Sequence, residues 1–181
     1  MCYNMGVKGK GDSVMKSNYI VRAIKFIEKI FPLIENCECG EDYEWAMKYY
    51  NTEHNRKVRV AWGQTRIAIL SSDYVIKIDY GSNSYRWGDC ESEYKHYLEA
   101  VHDGFDYLFA AITPVTIEGR RFYIMPRING VASNRSEYYD VDEWLTEEER
   151  DWVWDHIYDV HYENYGWKNR HPVIIDYAAG Y

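Results

Sequence analysis

The hydrophobic positions in the first part of the chain follow a helical period. From Ser17 onward, apolar residues recur at spacings of three and four and predict one apolar stripe: Ile20, Ile24, Ile27, Phe31 and Ile34. Pro32 is expected to bend or end this helix near its C-terminus, because proline lacks the amide hydrogen of a helix interior. Asp42 is predicted to cap a second, short helix that runs to Tyr50. Residues 1–16, with their glycine and lysine residues, are expected to be flexible.

The pattern then changes to the shorter period of β-strands. Turn residues at Gly63-Gln64 and at Ser71-Ser72-Asp73 separate three segments that we expect to form an antiparallel meander: Lys57–Trp62, Arg66–Leu70 and Tyr74–Ile78. The next periodic segment, Asp89–Val101, has the spacing of a helix.

A second group of strands follows that helix. Phe109–Thr116 and Arg121–Ile128 are predicted strands around Glu118-Gly119, a dipeptide typical of a tight hairpin. Thr146 and Glu149 have the spacing of a capping box at the start of another helix.

Length and charge narrow the class of protein. A chain of 181 residues with 46% hydrophobic and 17% aromatic residues can build the core of one domain, which argues against global disorder. Its formal net charge of −8 would repel a phosphate backbone, so nucleic-acid binding is disfavoured as the main role. The same acidity is compatible with a divalent cation.

The cysteines and the hydropathy pattern indicate in which cellular compartment the protein is found. Cys37 and Cys39 are too close for the usual two-residue zinc spacing and lack a second pair, so we expect no zinc site. Scattered thiols without a secretory signal predict a cytoplasmic protein, and no apolar run approaches the roughly 20 residues that a membrane span needs.

Acidic and amide side chains gather near the C-terminus in an order that suits phosphoryl transfer. The segment Asp159-Val-His161-Tyr-Glu-Asn164 follows the last predicted helix, and Asp176 directly follows an apolar strand, Val173–Ile175. Phosphoryl transfer needs one carboxylate to orient the attacking hydroxyl, and an amide oxygen with a second carboxylate to hold magnesium. The pattern therefore predicts a site of this kind.

Other segments extend this pattern into a resemblance to the protein-kinase-like superfamily. Val75-Ile76-Lys77 looks like the strand lysine, Glu93 like the helix glutamate, and Tyr123–Pro126 like the hinge. Asp159-x-His161-x-x-Asn164 looks like a catalytic loop, in the form of aminoglycoside- and choline-kinase-like enzymes. Ile175-Asp176-Tyr177-Ala178 looks like the metal-binding triplet.

The resemblance implies an α+β fold class with a five-stranded antiparallel sheet plus a helix, the N-lobe of a kinase-like fold. We expect this lobe over 57–128, an N-terminal helical extension over 17–56, and a small, mostly helical C-terminal part over 129–181. The chain is also similar to the small early serine/threonine kinases of lytic bacteriophages, which implies a host cytoplasm and possible host-protein partners.

The resemblance assigns roles to the polar residues of the sheet and its helix. Lys77 would contact the phosphates of ATP and would be held by a helix carboxylate, an arrangement that removes the cost of an unpaired ammonium in a strand. Glu93 is the favoured partner because Tyr94, Tyr97 and Leu98 after it form an apolar face. Glu91 remains the alternative.

The C-terminal residues would complete the reaction centre. Asp159 would orient the acceptor hydroxyl, and Asn164 with Asp176 would bind Mg²⁺. His161 is interpreted as a residue that braces the loop. Since only five residues follow Asp176, an activation segment and a large helical region are not expected, and the N-terminal helices are hypothesised to cover part of that surface.

The nucleotide-binding segments match the family less well. Gly63 is the one glycine between two strands where the family has Gly-x-Gly-x-x-Gly. Met125 and Arg127 would offer backbone groups to the adenine at the hinge, whereas Pro126 between them lacks an amide hydrogen.

Three functional hypotheses remain open at this stage. The first is a minimal phosphotransferase that moves the γ-phosphate of ATP to a protein or small-molecule hydroxyl. The second is a catalytically weak kinase-fold protein, for instance one encoded by a phage, that binds and modulates a host factor. The third is a plain α+β domain whose short motifs match by coincidence.

Overall fold

The computed structural model describes residues 12–63, 65–79, 89–128, 144–157, 164–169 and 171–177. Within these ranges no helix combines the length and the apolar character that a membrane crossing requires.

A five-stranded antiparallel sheet forms the centre of the described fold. Its strand order is β1-β2-β3-β5-β4, and the strands are β1 Arg59–Trp62, β2 Arg66–Leu70, β3 Tyr74–Asp79, β4 Thr113–Ile117 and β5 Arg120–Pro126. A helix joins β3 to β4. The predicted fold class, α+β with a five-stranded antiparallel sheet plus a helix, is confirmed.

Four helices and a small second sheet accompany the central sheet in the described ranges. The helices are α1 Asp12–Ile34, α2 Gly40–His54, α3 Asp89–Asp103 and α4 Glu147–His156. A 3₁₀ turn, Asp106–Leu108, follows α3, and β6 Tyr165–Lys168 pairs with β7 His171–Ile174 in an antiparallel hairpin.

One face of the central sheet is apolar and is covered by the N-terminal helices. Since side chains alternate between the faces of a strand, the isoleucines of β2 and β3 all lie on this face: Ile67, Ile69, Ile76 and Ile78. They pack in one cluster with Ala23, Ile27 and Ile30 of α1 and with Met47 of α2. Each fully buried isoleucine contributes about 1.5–3 kcal/mol. The opposite face carries Lys77.

This packing corrects the expectation for the N-terminal helices. They cover the isoleucine face of the sheet, not the side of the sheet on which Lys77 lies, because that apolar face needs cover from water. α1 also begins at Asp12 rather than Ser17, so the predicted flexible segment is helical in its last residues. Pro32 lies in the last turn, where the helix ends two residues later.

The start of α2 also differs from the prediction. Cys39 is the cap, and Asp42 lies inside the first turn, where its carboxylate accepts hydrogen bonds from the amides of Glu38 and Cys39 at 2.9 and 3.1 Å. Gly40 is required by a close approach, because a β-carbon there would come 2.3 Å from the Trp62 ring.

Two further predictions for the C-terminal half, a hairpin and a helix cap, are confirmed, and one strand was missed. Glu118 and Gly119 both have positive φ angles, as the predicted hairpin between β4 and β5 requires. Thr146 and Glu149 form the predicted capping box of α4. The strand β6 was not predicted, because Tyr165–Lys168 is too short to show alternation.

Candidate functional site

The candidate site begins at Lys77 in the middle of β3. Lys77 lies opposite Ala68 of β2 and Tyr123 of β5, and Arg66 lies opposite Asp79. Directly opposed residues of antiparallel strands share a face, so Lys77 and Arg66 both project toward the side that carries α3. Two cations of neighbouring strands are thus placed on one surface.

The ammonium of Lys77 is buried and paired. Lys77 is 6% exposed, its Nζ lies 2.6 Å from Oε1 of Glu93, and it donates a second hydrogen bond of 2.9 Å to the carbonyl of Ile175. Glu93, one turn into α3, is completely buried. The structure pairs Lys77 with Glu93 and not with Glu91, whose carboxylate accepts a 2.5 Å hydrogen bond from the hydroxyl of Tyr123.

Asp176 comes to the same place from the segment after β7. Its Oδ1 lies 3.8 Å from Nζ of Lys77 and 2.5 Å from Nη2 of Arg66, and its side chain is one third exposed. Residues from β2, β3, α3 and the C-terminal segment therefore meet in one cluster of two cations and two carboxylates. We refer to Lys77, Glu93, Asp176 and Arg66 as the four-charge cluster.

The C-terminal segment is tied to α3 by its backbone. The amide of Tyr177 donates a 3.1 Å hydrogen bond to Glu93, and the buried Tyr177 hydroxyl donates a 2.9 Å bond to the carbonyl of Ala110. The amide of Ile175 donates to the carbonyl of Asn164 at 2.7 Å. These bonds fix Asp176 relative to the helix that carries Glu93.

Two polar atoms of the cluster lack a hydrogen bond among the described residues. They are Nη1 of Arg66 and Oε2 of Glu93, both shielded from water and 3.8 Å apart. A buried polar atom without a partner costs about 1–3 kcal/mol. A bound group or a water molecule that supplied these two missing hydrogen bonds would therefore stabilise the cluster.

Burial and neighbouring charges together set the pKa values of the cluster. Burial raises the pKa of Glu93, while the charges of Lys77 and Arg66 act in the opposite direction. Burial works to lower the pKa of Arg66, but Asp176 and Glu93 outweigh it, so this pKa is raised and the guanidinium stays charged. Burial also raises the pKa of the neighbouring Cys90 thiol, which keeps the thiol protonated.

The turn between β1 and β2 is short. The Gly63 amide donates a 3.0 Å hydrogen bond to the carbonyl of Arg66, so this amide closes the turn. A β-carbon on Gly63 would meet no atom within 4 Å. The candidate phosphate roof is thus a tight hairpin, in which the side chain of Arg66 brings the positive charge.

The hinge residues are already engaged with the sheet. Met125 is buried opposite Val75, and the amide of Arg127 donates a 3.0 Å hydrogen bond to the carbonyl of Asp73. The guanidinium of Arg127 donates to the carbonyl of Ser71 at 2.8 Å. The amide of Arg127 thus extends the ladder between β3 and β5, and the expectation that Met125 and Arg127 offer backbone groups to adenine stays a prediction.

The structure describes only some of the candidate residues of the catalytic loop. Asp159 and His161 lie outside the described residues, as does Ala178. Asn164 is buried next to the start of β6, and its backbone faces Ile175, the residue before Asp176. Asn164 and Asp176 are thus brought to adjacent strand ends.

The donor chemistry at these two residues suits Mg²⁺. A carboxylate and an amide oxygen are hard ligands, and a nucleotide's phosphates would have to supply the remaining oxygens. Across the described ranges there is no cluster of three or more histidine, cysteine or acidic residues that could hold a metal without such help. Arg66 donates to Oδ1 of Asp176, so a cation bound at this oxygen would compete with the guanidinium.

Comparisons with known proteins identify no family for this chain. No family model matches the chain, and no curated protein matches it. Among solved structures, the chain is similar to one described as "Legionella pneumophila Lpg2603 kinase bound to IP6", with 14% sequence identity and a TM-score of 0.42. The match covers 67% of this chain and 47% of that chain, so it spans about half the length of the kinase.

Arg66 is the site residue that the sequence pattern did not reveal. Arg66 is the first residue of β2 and lies two residues before Ala68, which is opposite Lys77. This spacing is the feature of the sequence that indicates its position. That offset puts Arg66 on the lysine's face, but only the strand register shows it. The partner of Arg66, Asp176, is 110 residues away in sequence.

Proposed function

We propose that the chain is a kinase-like phosphotransferase that uses ATP and Mg²⁺ to phosphorylate a hydroxyl group of a protein or small molecule. The observation that carries the proposal is the position of Lys77, whose ammonium lies between Glu93 of α3 and Asp176. A lysine that a helix carboxylate holds next to a metal-binding carboxylate is the arrangement that phosphoryl transfer in kinases requires.

Each residue has one task in this proposal. Glu93 and the carbonyl of Ile175 hold the ammonium of Lys77 in place, so that its charge can contact phosphate oxygens. Asp176 and Asn164 would hold Mg²⁺, which neutralises charge on the phosphates when it is bound. Asp159 would accept the proton of the acceptor hydroxyl and orient it.

The experiment is a phosphate-transfer assay with ATP labelled on its γ-phosphate and Mg²⁺, read as label incorporated into protein and as inorganic phosphate released. Asp159→Asn and Asp176→Asn should each lower the rate by orders of magnitude. Asp155→Asn on the exposed side of α4 is the matched control and should behave as the wild type. Unchanged activity in both site variants would refute the assignment.

One observation favours a second candidate, a catalytically weak kinase-fold protein that binds and modulates another protein, for instance a phage product acting on a host factor. The guanidinium of Arg66 occupies Oδ1 of Asp176, and the amide of Gly63 in the β1–β2 turn already donates to the carbonyl of Arg66. A site held closed in this way suits a protein that no longer needs the nucleotide.

Arg66→Ala separates the two candidates by calorimetric titration with Mg·ATP, with Arg59→Ala on the exposed edge strand as the control. The phosphotransferase candidate predicts binding to the wild type. The binding-protein candidate predicts none, and binding that appears only in Arg66→Ala would identify Arg66 as the group that closes the site.

A further inference from the structure

A second concave surface lies away from the four-charge cluster. It is formed by α1, by the residues around the end of α2, and by the turn between β2 and β3, and its cavity volume is about 650 Å³. This volume lies within the range of small-molecule sites. We call it the basic groove, after the charged residues that line it: Arg22, Lys25, Lys29, Arg56 and Asp73.

The charges of α1 are segregated toward the groove. Between residues 18 and 34, the three basic residues of the helix all line it, whereas Glu28 does not. Arg22, Lys25 and Lys29 are spaced by three and four residues, so they lie on one face of the helix. Such a concentration of positive charge is unexpected in a chain whose formal net charge is −8.

The single carboxylate among the lining residues is already neutralised. Nε of Arg22 donates to Oδ2 of Asp73 at 3.0 Å, and Nη2 of Arg22 contacts the same oxygen. Nη1 of Arg22 donates to the side chain of Asn18 at 2.7 Å. Arg22 and Asp73 therefore cancel, and the charge of the groove is set by the other three cations.

Those three cations have no carboxylate partner within the described ranges. Nζ of Lys29 lies 5.4 Å from the centre of the Tyr50 ring, and no ion pair forms at Lys25 or at Arg56. A concave surface lined by one sign of charge focuses the field and attracts counter-ions. Among the described residues, the groove thus presents three positive charges without an ion-pair partner to one small volume.

The walls of the groove are preformed. The rings of Tyr50 and Tyr74 are each 5% exposed, so they build its floor and leave no aromatic face free for stacking. Arg127 stabilises the β2–β3 turn through hydrogen bonds to the carbonyls of Ser71 and Asp73. Ser72 is exposed at the rim, and its hydroxyl donates a 3.1 Å hydrogen bond to Oδ1 of Asp73.

We propose that the basic groove binds a small molecule that carries several phosphate groups. The three cations come from two segments, with Lys25 and Lys29 one helical turn apart on α1 and Arg56 after α2, so a ligand with several anionic groups can contact all of them. Guanidinium and ammonium groups next to a hydroxyl are the usual partners of phosphate oxygens. This site is separate from the proposed ATP site and does not depend on it.

The test is calorimetric titration with inorganic tripolyphosphate at low salt. Lys25→Ala, Lys29→Ala and Arg56→Ala should each weaken binding roughly tenfold, because each removes a charge-assisted contact. Lys48→Ala is the matched control: it is a lysine of α2 outside the groove, over the Trp45 ring at 4.9 Å, and should bind as the wild type. Binding should weaken as salt is added.

Further titrations distinguish the basic groove from the candidate ATP site and from unselective attraction of anions. Lys77→Arg removes the preferred geometry of the candidate ATP site, and the groove affinity should not change. Failure of the wild type to bind would overturn the proposal, as would wild-type affinity in the triple variant Lys25→Ala/Lys29→Ala/Arg56→Ala. Loss of binding in Lys77→Arg alone, or tighter binding of an oligoglutamate peptide, would also overturn it. Binding to phosphoinositide vesicles that the triple variant loses would support the same phosphate chemistry and identify a lipid headgroup as its source.

Discussion

Lys77 and Glu93 depend on each other because both are buried. The ammonium has two hydrogen-bond partners, and the carboxylate accepts from both Lys77 and the amide of Tyr177. Removing one partner of a buried ion pair leaves an uncompensated charge and costs about 3–5 kcal/mol, whereas replacing both by apolar residues can be close to neutral.

We therefore expect Lys77→Met and Glu93→Leu to destabilise the protein by about 3–5 kcal/mol each, and the double variant Lys77→Met/Glu93→Leu to recover most of that loss. Urea denaturation measures all three. Glu91→Leu on the same helix is the control and should cost less, because its carboxylate is partly exposed. Strictly additive losses in the double variant would contradict the coupling.

At the scale of elements, α1 is part of the core. Ile27 is completely buried in the cluster that includes the isoleucines of β2 and β3, while Val21 on the same helix is 48% exposed. The helix and the sheet should therefore unfold together.

Ile27→Ala should lower the free energy of unfolding by about 2–5 kcal/mol, because it removes buried methyl groups and leaves a cavity. Ile27→Asp should prevent stable folding at all. Val21→Ala is expected to change stability by less than about 1 kcal/mol. Thermal denaturation, followed by circular dichroism in the far and near ultraviolet, tests this. A stable sheet in Ile27→Asp would show that α1 is dispensable.

The start of α4 makes stability depend on pH. Glu149 accepts hydrogen bonds from the hydroxyl of Tyr107 at 2.6 Å and from the amide of Thr146 at 2.7 Å. Burial acts to raise the pKa of Glu149, but these two hydrogen bonds prevail, and the pKa lies below its ordinary value of 4.5. A carboxylate with a lowered pKa stabilises the fold above its unfolded-state pKa, and that stability is lost as pH falls through the folded-state value.

Glu149→Gln should accordingly destabilise the protein by about 1–2 kcal/mol at neutral pH, and the difference from wild type should shrink below about pH 4.5. Urea denaturation at several pH values measures the difference. Glu147→Gln, an exposed residue of the same turn, should show a much smaller pH dependence. A difference that grows in acid would reverse the sign argued here.

The elements of this chain were easier to predict than their contacts. Residues such as Ile67 and Ile69 show the strand period, and Thr146 with Glu149 show a cap, because these signals are local. The pairing of Arg66 with Asp176 depends on strand register and on a contact between distant segments, neither of which local spacing encodes. The strand β6 was missed because its four residues are too few to show alternation, whereas the predicted strand Val173–Ile175 overlaps β7.

At the scale of the whole molecule, the two faces of the central sheet carry different residues, apolar on one face and charged on the other. N-terminal helices bury the isoleucine face of the sheet, and the four-charge cluster lies on the face of Lys77. The net charge of −8 is unevenly distributed, since cations outnumber carboxylates in the basic groove and balance them at the four-charge cluster. An acidic protein can therefore offer two local sites for phosphate groups.

The central claim is that Lys77, Glu93 and Asp176 form a site for a magnesium nucleotide, and a thermal-shift measurement tests it most directly. ATP with Mg²⁺ at about 100 times its Kd should add about 2.7 kcal/mol and raise Tm by roughly 5–10 °C. Measured with Lys25, Lys29 and Arg56 replaced by alanine, so that ATP cannot bind in the basic groove, the rise should need both the metal and Asp176. It should vanish in Asp176→Ala and persist in the surface variant Asp155→Asn. No rise in the wild type, or an equal rise in Asp176→Ala, would contradict the claim.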